Sequence, residues 1–395
     1  MGRTIKVFKK TSHNGKVVAY LSRRDFVDHI SHTSPVDGVV VVEGDYLRGR
    51  KVFARVTVTF RYGREEDEVM GLHFSKEFEL INAEVVADGG AARAGQETTS
   101  PEVERLLQKL GPDARPFCLT LPGPAPGSVT LDPGSKGTSK QLGVTYEVTV
   151  YVSEEMEQQP SRRTSVTFPV RKVQHVPLTH HPKHRPATLV ARTFTLTPGK
   201  VILEVQLERD LYYHGEQVEA RINVGNYSKK TVKHLVTQVL QHVEVTVTNT
   251  HFSRGVASIE SHDGCPIIPG SRFSRSVLIT PLPFRTFGVA LEGHQQDQDA
   301  CLASSTITSA YGNADDALGI IVSYSLRVKL NCGAIGGELT ADLPFKLMHA
   351  SPPSPPSSVG RGVILQRAKS VEESIQIEEF SSFRRGRSLT DDLDD

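Results

Sequence analysis

An alternation of period two constrains this chain more than any other feature. The segment "VTYEVTVYV" puts Val144, Tyr146, Val148, Val150 and Val152 on one face of an extended backbone. "VEARINV" sets Val218, Ala220, Ile222 and Val224 against Glu219, Arg221 and Asn223, and "VSYSLRVKL" repeats the pattern with Val322, Tyr324, Leu326, Val328 and Leu330. Successive side chains of a strand point to opposite faces, so each segment offers one face to a core and the other to water. Turn clusters such as "PGPAPGS" and "DPGSKG" separate the segments. Together they read as antiparallel β-sandwiches, an all-β fold class. One helix is expected, in "SPEVERLLQKLG": Ser100 is its N-cap, Pro101 its first residue and Gly111 its stop, with an apolar stripe of Val103, Leu106, Leu107 and Leu110. In "TSVTFPVRKVQHVP", Val166, Phe168 and Val170 share a face, and Arg171 falls on the other with Thr167 and Pro169. The plain reading of an arginine near a strand end is a rim residue reaching solvent.

At 395 residues the chain exceeds one ordinary core, and two or three domains are expected. The segment "HVPLTHHPKHRP", rich in Pro and His, separates two stretches of similar strand density. Its His175, His180, His181 and His184 read as a solvated hinge rather than a metal tract, since prolines interrupt them and no orienting partners are evident. "HASPPSPPSSVGRG" marks a Pro/Ser-rich linker, followed by a charged tail. The expected division is 1–173, a hinge at 174–186, a second sandwich at 187–349, a linker at 350–362 and a regulatory tail at 363–395.

The formal charge of +1 carries no global field for nucleic acid. It is unevenly spread: residues 1–60 hold eleven Lys/Arg against five Asp/Glu, or +6, and 361–395 hold six against eight, or −2. The two ends can therefore attract each other or compete for one surface. The four cysteines, Cys118, Cys265, Cys301 and Cys332, form no C-x-x-C pair, which favours reduced cytosolic thiols over disulfides or zinc. No apolar run approaches the ~20 residues of a membrane span, and no signal peptide is evident. Gly2 is followed by Lys6 where a myristoylation signal takes Ser or Thr. G-x-S-x-G, P-loop, H-E-x-x-H and dinucleotide motifs are missing, so no enzyme, metal or cofactor is expected.

Three segments invite interaction instead. In "RYGREEDEVMGLHF" the acidic Glu65, Glu66, Asp67 and Glu68 run into Val69, Met70, Gly71 and Leu72. That suits either a loop inserting into a partner's cavity or a hairpin with a bulge at Gly71. "KVFKK" sets Lys6, Lys9 and Lys10 around Val7 and Phe8, which suits phosphate capture or a solvated strand edge. "IEEFSSFRRGR" spaces Ile377, Phe380 and Phe383 ahead of Arg385 and Arg387, as in a docking peptide.

"KVFKK", "RRDFVDHI", "PVDGVVVV", "FRYGREEDEVMGL", "VRKVQHVP", "LYYHGE", "LASSTI", "IIVSYSLRVKL" and "PFKLMH" together resemble the arrestins, in family order and across nearly the whole chain. The likeness is to the visual and β-arrestin branch, in its invertebrate form. It implies two immunoglobulin-like antiparallel β-sandwich domains, one short helix on the N-domain and a C-terminal tail folded back on the first sheet. It implies a cytoplasmic adaptor, recruited to plasma or photoreceptor membrane with peripheral membrane contact. Its partner would be an activated, phosphorylated seven-helix receptor (an opsin or another G-protein-coupled receptor), whose G-protein coupling it blocks.

By the same resemblance Arg171 is the phosphate sensor of a polar cluster with Asp25, Glu292, Asp299 and Arg385; Glu292 stands where the family has a shorter acid. Lys9, Lys10, Arg24 and Lys109 match phosphate contacts. The finger loop that enters the receptor matches Arg61–Phe74, including Glu65–Leu72. The helix would pack on the first strand and the tail through Leu106, Leu110, Val7 and Phe8. Phe380, Phe383 and Arg387 match a clathrin-adaptor-complex motif, and Ser388 completes an R-x-x-S phosphosite with Arg385. His294 and Gln296 replace lysines that family members often carry, so a weaker phosphate dependence is expected. Val236 and Leu240 stand where an inositol-phosphate site needs cations, leaving only a diffuse basic patch of Lys229, Lys230 and Lys233. The alternative is an arrestin-domain cargo-sorting scaffold, which predicts Pro-Pro-x-Tyr peptides that "SPPSPPSS" does not supply.

Overall fold

A computed structural model describes residues 5–29, 32–63, 74–86, 100–121, 125–131, 142–156, 158–177, 185–194, 197–283, 288–292, 301–307, 319–333, 336–351 and 375–379. The first half contains β1 (Ile5–Thr11), β2 (Val17–Leu21), β3 (Asp25–Asp28), β4 (Val36–Val42), the helical turn α1 (Gly44–Leu47), β5 (Lys51–Arg61), β6 (Ser75–Glu84), helix α2 (Pro101–Leu110), β7 (Ala114–Leu119), β8 (Val129–Leu131), β9 (Leu142–Ser153) and β10 (Ser165–Val176). The second contains β11 (Ala187–Phe194), β12 (Thr197–Leu207), β13 (Leu211–Tyr213), β14 (Val218–Asn226), β15 (His234–Val245), β16 (Thr250–Ser261), β17 (Arg272–Ile279), β18 (Ala290–Glu292), β19 (Cys301–Leu302), β20 (Ile320–Asn331) and β21 (Glu338–Ala350); β22 (Ile375–Glu379) follows.

The period-two segments become strands with the expected faces inward. Val218, Ala220, Ile222 and Val224 of β14 are buried, as are Val322, Tyr324, Leu326, Val328 and Leu330 of β20. In the first sandwich the sheet β22-β1-β2-β4-β7 faces a sheet built on β6, β5, β9 and β10. Phe26, Phe117, Tyr146 and Phe168 fill the space between them. In the second, β11-β12-β14-β17 covers β16-β15-β20-β21 around Leu203, Ile222, Tyr324 and Phe345. Burying two faces at ~25 cal/mol per Å² of apolar area is the main force holding each sandwich together.

Helix α2 begins and ends as its capping residues dictate. The Ser100 hydroxyl accepts a hydrogen bond from Val103 N, Pro101 opens the helix, and Gly111, at φ 84°, donates its N–H to Leu107 O. A second helix of four residues, α1, was not legible in advance; it is a single turn after β4.

Short strands join the two sandwiches. β10 continues through Val176, three residues into the segment read as hinge, and its end pairs in parallel with β21 through His175↔His349 and Val176↔Ala350. β3 lies parallel to β10, with Asp25 opposite Arg171. β8 carries β18 through Leu131↔Ala290, and β18 carries β19 through Glu292↔Cys301. Gly143, at φ 142°, lets β9 pass β8 closely: a Cβ there would meet Val129 O at 2.0 Å. No helix among the described residues is long and apolar enough to cross a membrane.

Candidate functional site at the sandwich junction

The inward row of β10 runs Val166, Phe168, Val170 and then Lys172, the last only 1% exposed. A strand's parity therefore drives a lysine, not the neighbouring arginine, into the interior. Its ammonium pairs with Asp28 Oδ2 at 2.9 Å and also donates to the Ala125 carbonyl. Its backbone N–H donates to Ser128 Oγ at 2.8 Å. A buried cation survives only with such partners.

Arg171 lies on the opposite face and is only part-exposed. It does more than reach solvent: Nε donates to Asp25 Oδ1 at 2.7 Å and Nη2 to Asp25 Oδ2 at 2.8 Å. This fork-on-carboxylate geometry is the strong form of an arginine ion pair. Its register is fixed by the backbone, because Arg171 N donates to Arg24 O at 2.9 Å. Burial opposes the guanidinium charge, yet the Asp25 hydrogen bonds and attraction hold its pKa above the ordinary arginine value.

Glu292 behaves differently from the expectation of a direct carboxylate partner for Arg171. It reaches Arg171 only through longer-range attraction. Its Oε2 instead accepts from His349 Nε2 at 2.6 Å, and Oε1 accepts from Ser304 N at 2.8 Å. Burial pushes this carboxyl up, and the His349 hydrogen bond and charge, aided by His214 and the Ser304 N–H, pull it below its usual value. Cys301 Sγ lies 3.9 Å from Glu292 Oε2 and 3.7 Å from His349 Nε2, and burial beside that carboxylate pushes its thiol up to about 12. The His214 ring sits 4.3 Å from the His349 ring, and burial, with His349, pushes it down to about 4. His349 also stacks on His175 at 5.3 Å.

The second cluster lies at the edge of the first sheet. β22 pairs in parallel with β1, from Ile5↔Ile375 to Lys9↔Glu379. That register sets Lys6 Nζ 3.0 Å from Glu378 and Lys9 Nζ 3.6 Å from Glu379. Beneath, Val7, Val103 and Leu106 are buried with Tyr20, Val39 and Ala114, and Leu110, Ile375 and Ile377 pack on them. The strand, the helix and the tail thus share one small core. Phe8 belongs to the main core of the sandwich instead, packed against it from the same strand. The Arg24 guanidinium lies 5.4 Å from the Phe8 ring centre, and Lys10 Nζ donates to Thr167 O at 2.6 Å. Lys109 is exposed in the last turn of α2.

Comparison with known proteins gives the chain its family. The family model for the arrestin (or S-antigen) N-terminal domain matches residues 17–175, and that for the C-terminal domain matches residues 197–352. An "Arrestin homolog" of Locusta migratoria is 47% identical over 94% of this chain and 90% of its own length. The chain belongs to the arrestin family. The "Arrestin, lateral eye" of Limulus polyphemus is 46% identical over 88% of this chain and 85% of its own, and "Phosrestin-1" of Drosophila melanogaster is 43% identical over 94% and 91%.

In this arrestin, the structure brings Asp25 and Arg171 into one ion pair, puts Glu292 beside His349, and gathers Val7, Leu106 and Leu110 at the helix. Asp299, Arg385, the loop residues Glu65–Leu72, the motif Phe380, Phe383 and Arg387, and Ser388 lie outside the described residues. Sequence reasoning missed Asp28, Lys172, His214, Cys301 and His349. Parity alone could have found Lys172; nothing local links the other four.

Proposed function

We propose that this arrestin terminates signalling by binding an activated, phosphorylated seven-helix receptor, an opsin being the leading candidate, and blocking its G-protein coupling. It acts as an adaptor recruited from the cytoplasm to the receptor's membrane, with peripheral membrane contact. The observation that supports this reading is the bidentate Arg171–Asp25 pair. A receptor phosphate carries about −1.5 to −2 charge and three acceptor oxygens, so it is a stronger partner for a guanidinium than one carboxylate. Arg171 is part-exposed, which leaves it within reach of that competitor. In the proposed switch Asp299 and Arg385 complete the cluster, and Glu292 supports it electrostatically through its buried charge.

The edge lysines give the phosphates a second point of attack. Lys9 and Lys10, together with Arg24 and Lys109, capture phosphate and so weaken the hold of Lys6 and Lys9 on Glu378 and Glu379. Losing the tail strand and the Arg171 pair together frees the two sandwiches to rotate and releases the loop 65–72 to enter the receptor. The freed tail then offers Phe380, Phe383 and Arg387 to the clathrin adaptor complex, with Ser388 as a phosphosite beside them. Sedimentation with membranes holding active or inactive receptor, each with and without phosphate, tests the reading. Binding should peak on the active phosphorylated form; equal binding to all four would defeat it.

A further inference from the structure

His214, Glu292 and His349 present metal-ligating atoms that all lie within 4.8 Å of one another. Cys301 stands beside them, its Sγ 3.7 Å from His349 Nε2 and 3.9 Å from Glu292 Oε2. We propose that these four side chains form a binding site for a divalent transition metal, Zn²⁺ above all.

The donor set sets the class of ion. Two imidazoles, a carboxylate and a thiol suit a borderline-soft cation and tetrahedral coordination. Ca²⁺ and Mg²⁺ take shells of oxygen, and one carboxylate cannot supply that. With Zn–N and Zn–O near 2.0–2.2 Å and Zn–S near 2.3 Å, tetrahedral donors stand about 3.3–3.6 Å apart. The sulfur's separations from His349 and Glu292 are already close to this, and His214, which is grouped with those two but not with the thiol, must draw towards it. The Glu292–His349 hydrogen bond, at 2.6 Å, must open by about an ångström as the metal takes the place of its proton. The Cys301 thiol releases its own proton to become the thiolate ligand.

Strand pairing positions the donors. Glu292 and Cys301 face each other across the β18–β19 pair, His349 lies near the end of β21, and His214 follows β13, which pairs with that same strand. Ser304 provides an outer layer: its N–H holds Glu292 Oε1 at 2.8 Å, and its hydroxyl lies 3.1 Å from His214 Nε2. Glu292 and Ser304 also line a cavity of about 360 Å³ between the sandwiches. A lone Glu–His hydrogen bond explains the 2.6 Å contact but gives no reason for a thiol and a second imidazole to stand beside it. A bound metal would tie Glu292 and Cys301 to His349 of β21.

The test uses the full chain, chelator-stripped and kept reduced, titrated with Co²⁺ as a spectroscopic probe and with Zn²⁺ by calorimetry. We expect one ion per chain, tetrahedral cobalt bands and a thiolate-to-cobalt charge-transfer band. Cys301→Ser should abolish the charge-transfer band, and both it and His349→Gln should weaken Zn²⁺ binding by more than about tenfold, the scale that even outer-shell partners command. Replacing His180, His181 and His184 by Asn should change nothing. Metal-free melting of each variant checks folding; should His349→Gln fail to fold, Cys301→Ser at its half-buried position carries the test. No stoichiometric uptake, uptake indifferent to Cys301→Ser, or uptake lost with the three hinge histidines would overturn the proposal.

Discussion

Reversing the charge at Arg171 is the most revealing perturbation. In Arg171→Glu two charge-assisted hydrogen bonds, at 2.7 and 2.8 Å, become a carboxylate facing Asp25. A fully buried pair broken on one side costs about 3–5 kcal/mol, and a fully exposed one about 0–1 kcal/mol. The side chains here are 26% and 43% exposed, between those limits. A loss of about 2 kcal/mol follows, equal to about 30-fold in an equilibrium constant. If the pair restrains the resting form, the same 30-fold or so appears as tighter binding to active receptor without phosphate. Melting of the first sandwich should fall by about 4–8 °C. Binding is read by sedimentation with active receptor membranes, phosphorylated and not, and the ratio of the two should collapse towards one. The double variant Arg171→Glu with Asp25→Arg restores a pair of opposite charges and should recover much of that ratio. A single variant with the wild-type ratio would refute the reasoning, since no restraint would have been removed.

Lys172→Met removes the buried cation that pairs with Asp28 and should cost about 3–5 kcal/mol in denaturant unfolding, whereas adding Asp28→Leu should recover most of it. Leu106→Ala empties a fully buried site shared by α2, β1 and β22; about 2–5 kcal/mol of local packing is lost, and hydrogen exchange of residues 375–379 should quicken. His242 has its ring nitrogens 2.7 Å from Ser253 Oγ and 2.8 Å from Ser325 Oγ, and burial, with Arg327, lowers its pKa. The unfolded chain then takes up this proton first, so the contribution of His242 to stability is whole above about pH 6.5 and declines as pH falls below it. His242→Gln should flatten that decline in melting curves taken from pH 7.5 to 5.

The sandwich strands were legible because β14 and β20 alternate cleanly, and α2 was legible from Ser100, Pro101 and Gly111. β9 was only half legible: Thr149 and Tyr151, on its supposedly outer face, are buried as well. Tyr151 is held there by hydrogen bonds with the nearby Met156 O and with Asn82, the latter a contact between distant segments that no local pattern records. The junction followed the same rule. Arg171 drew notice as a cation in a strand, while Lys172 went unseen although it continues the row of Val166, Phe168 and Val170. His214, Glu292, Cys301 and His349 are scattered along the chain, and only the pairing of β13 with β21 and of β18 with β19 gathers them.

In the proposed switch a tail strand and an ion pair hold the resting form until phosphate displaces both. The distance from a probe at Gln376, exposed on β22, to one at Lys109, exposed in α2, reads the tail directly. It should be short in the free protein, lengthen with active phosphorylated receptor, and lengthen in Arg171→Glu with active receptor that carries no phosphate. A distance that stays short when the phosphorylated receptor is bound would contradict the account.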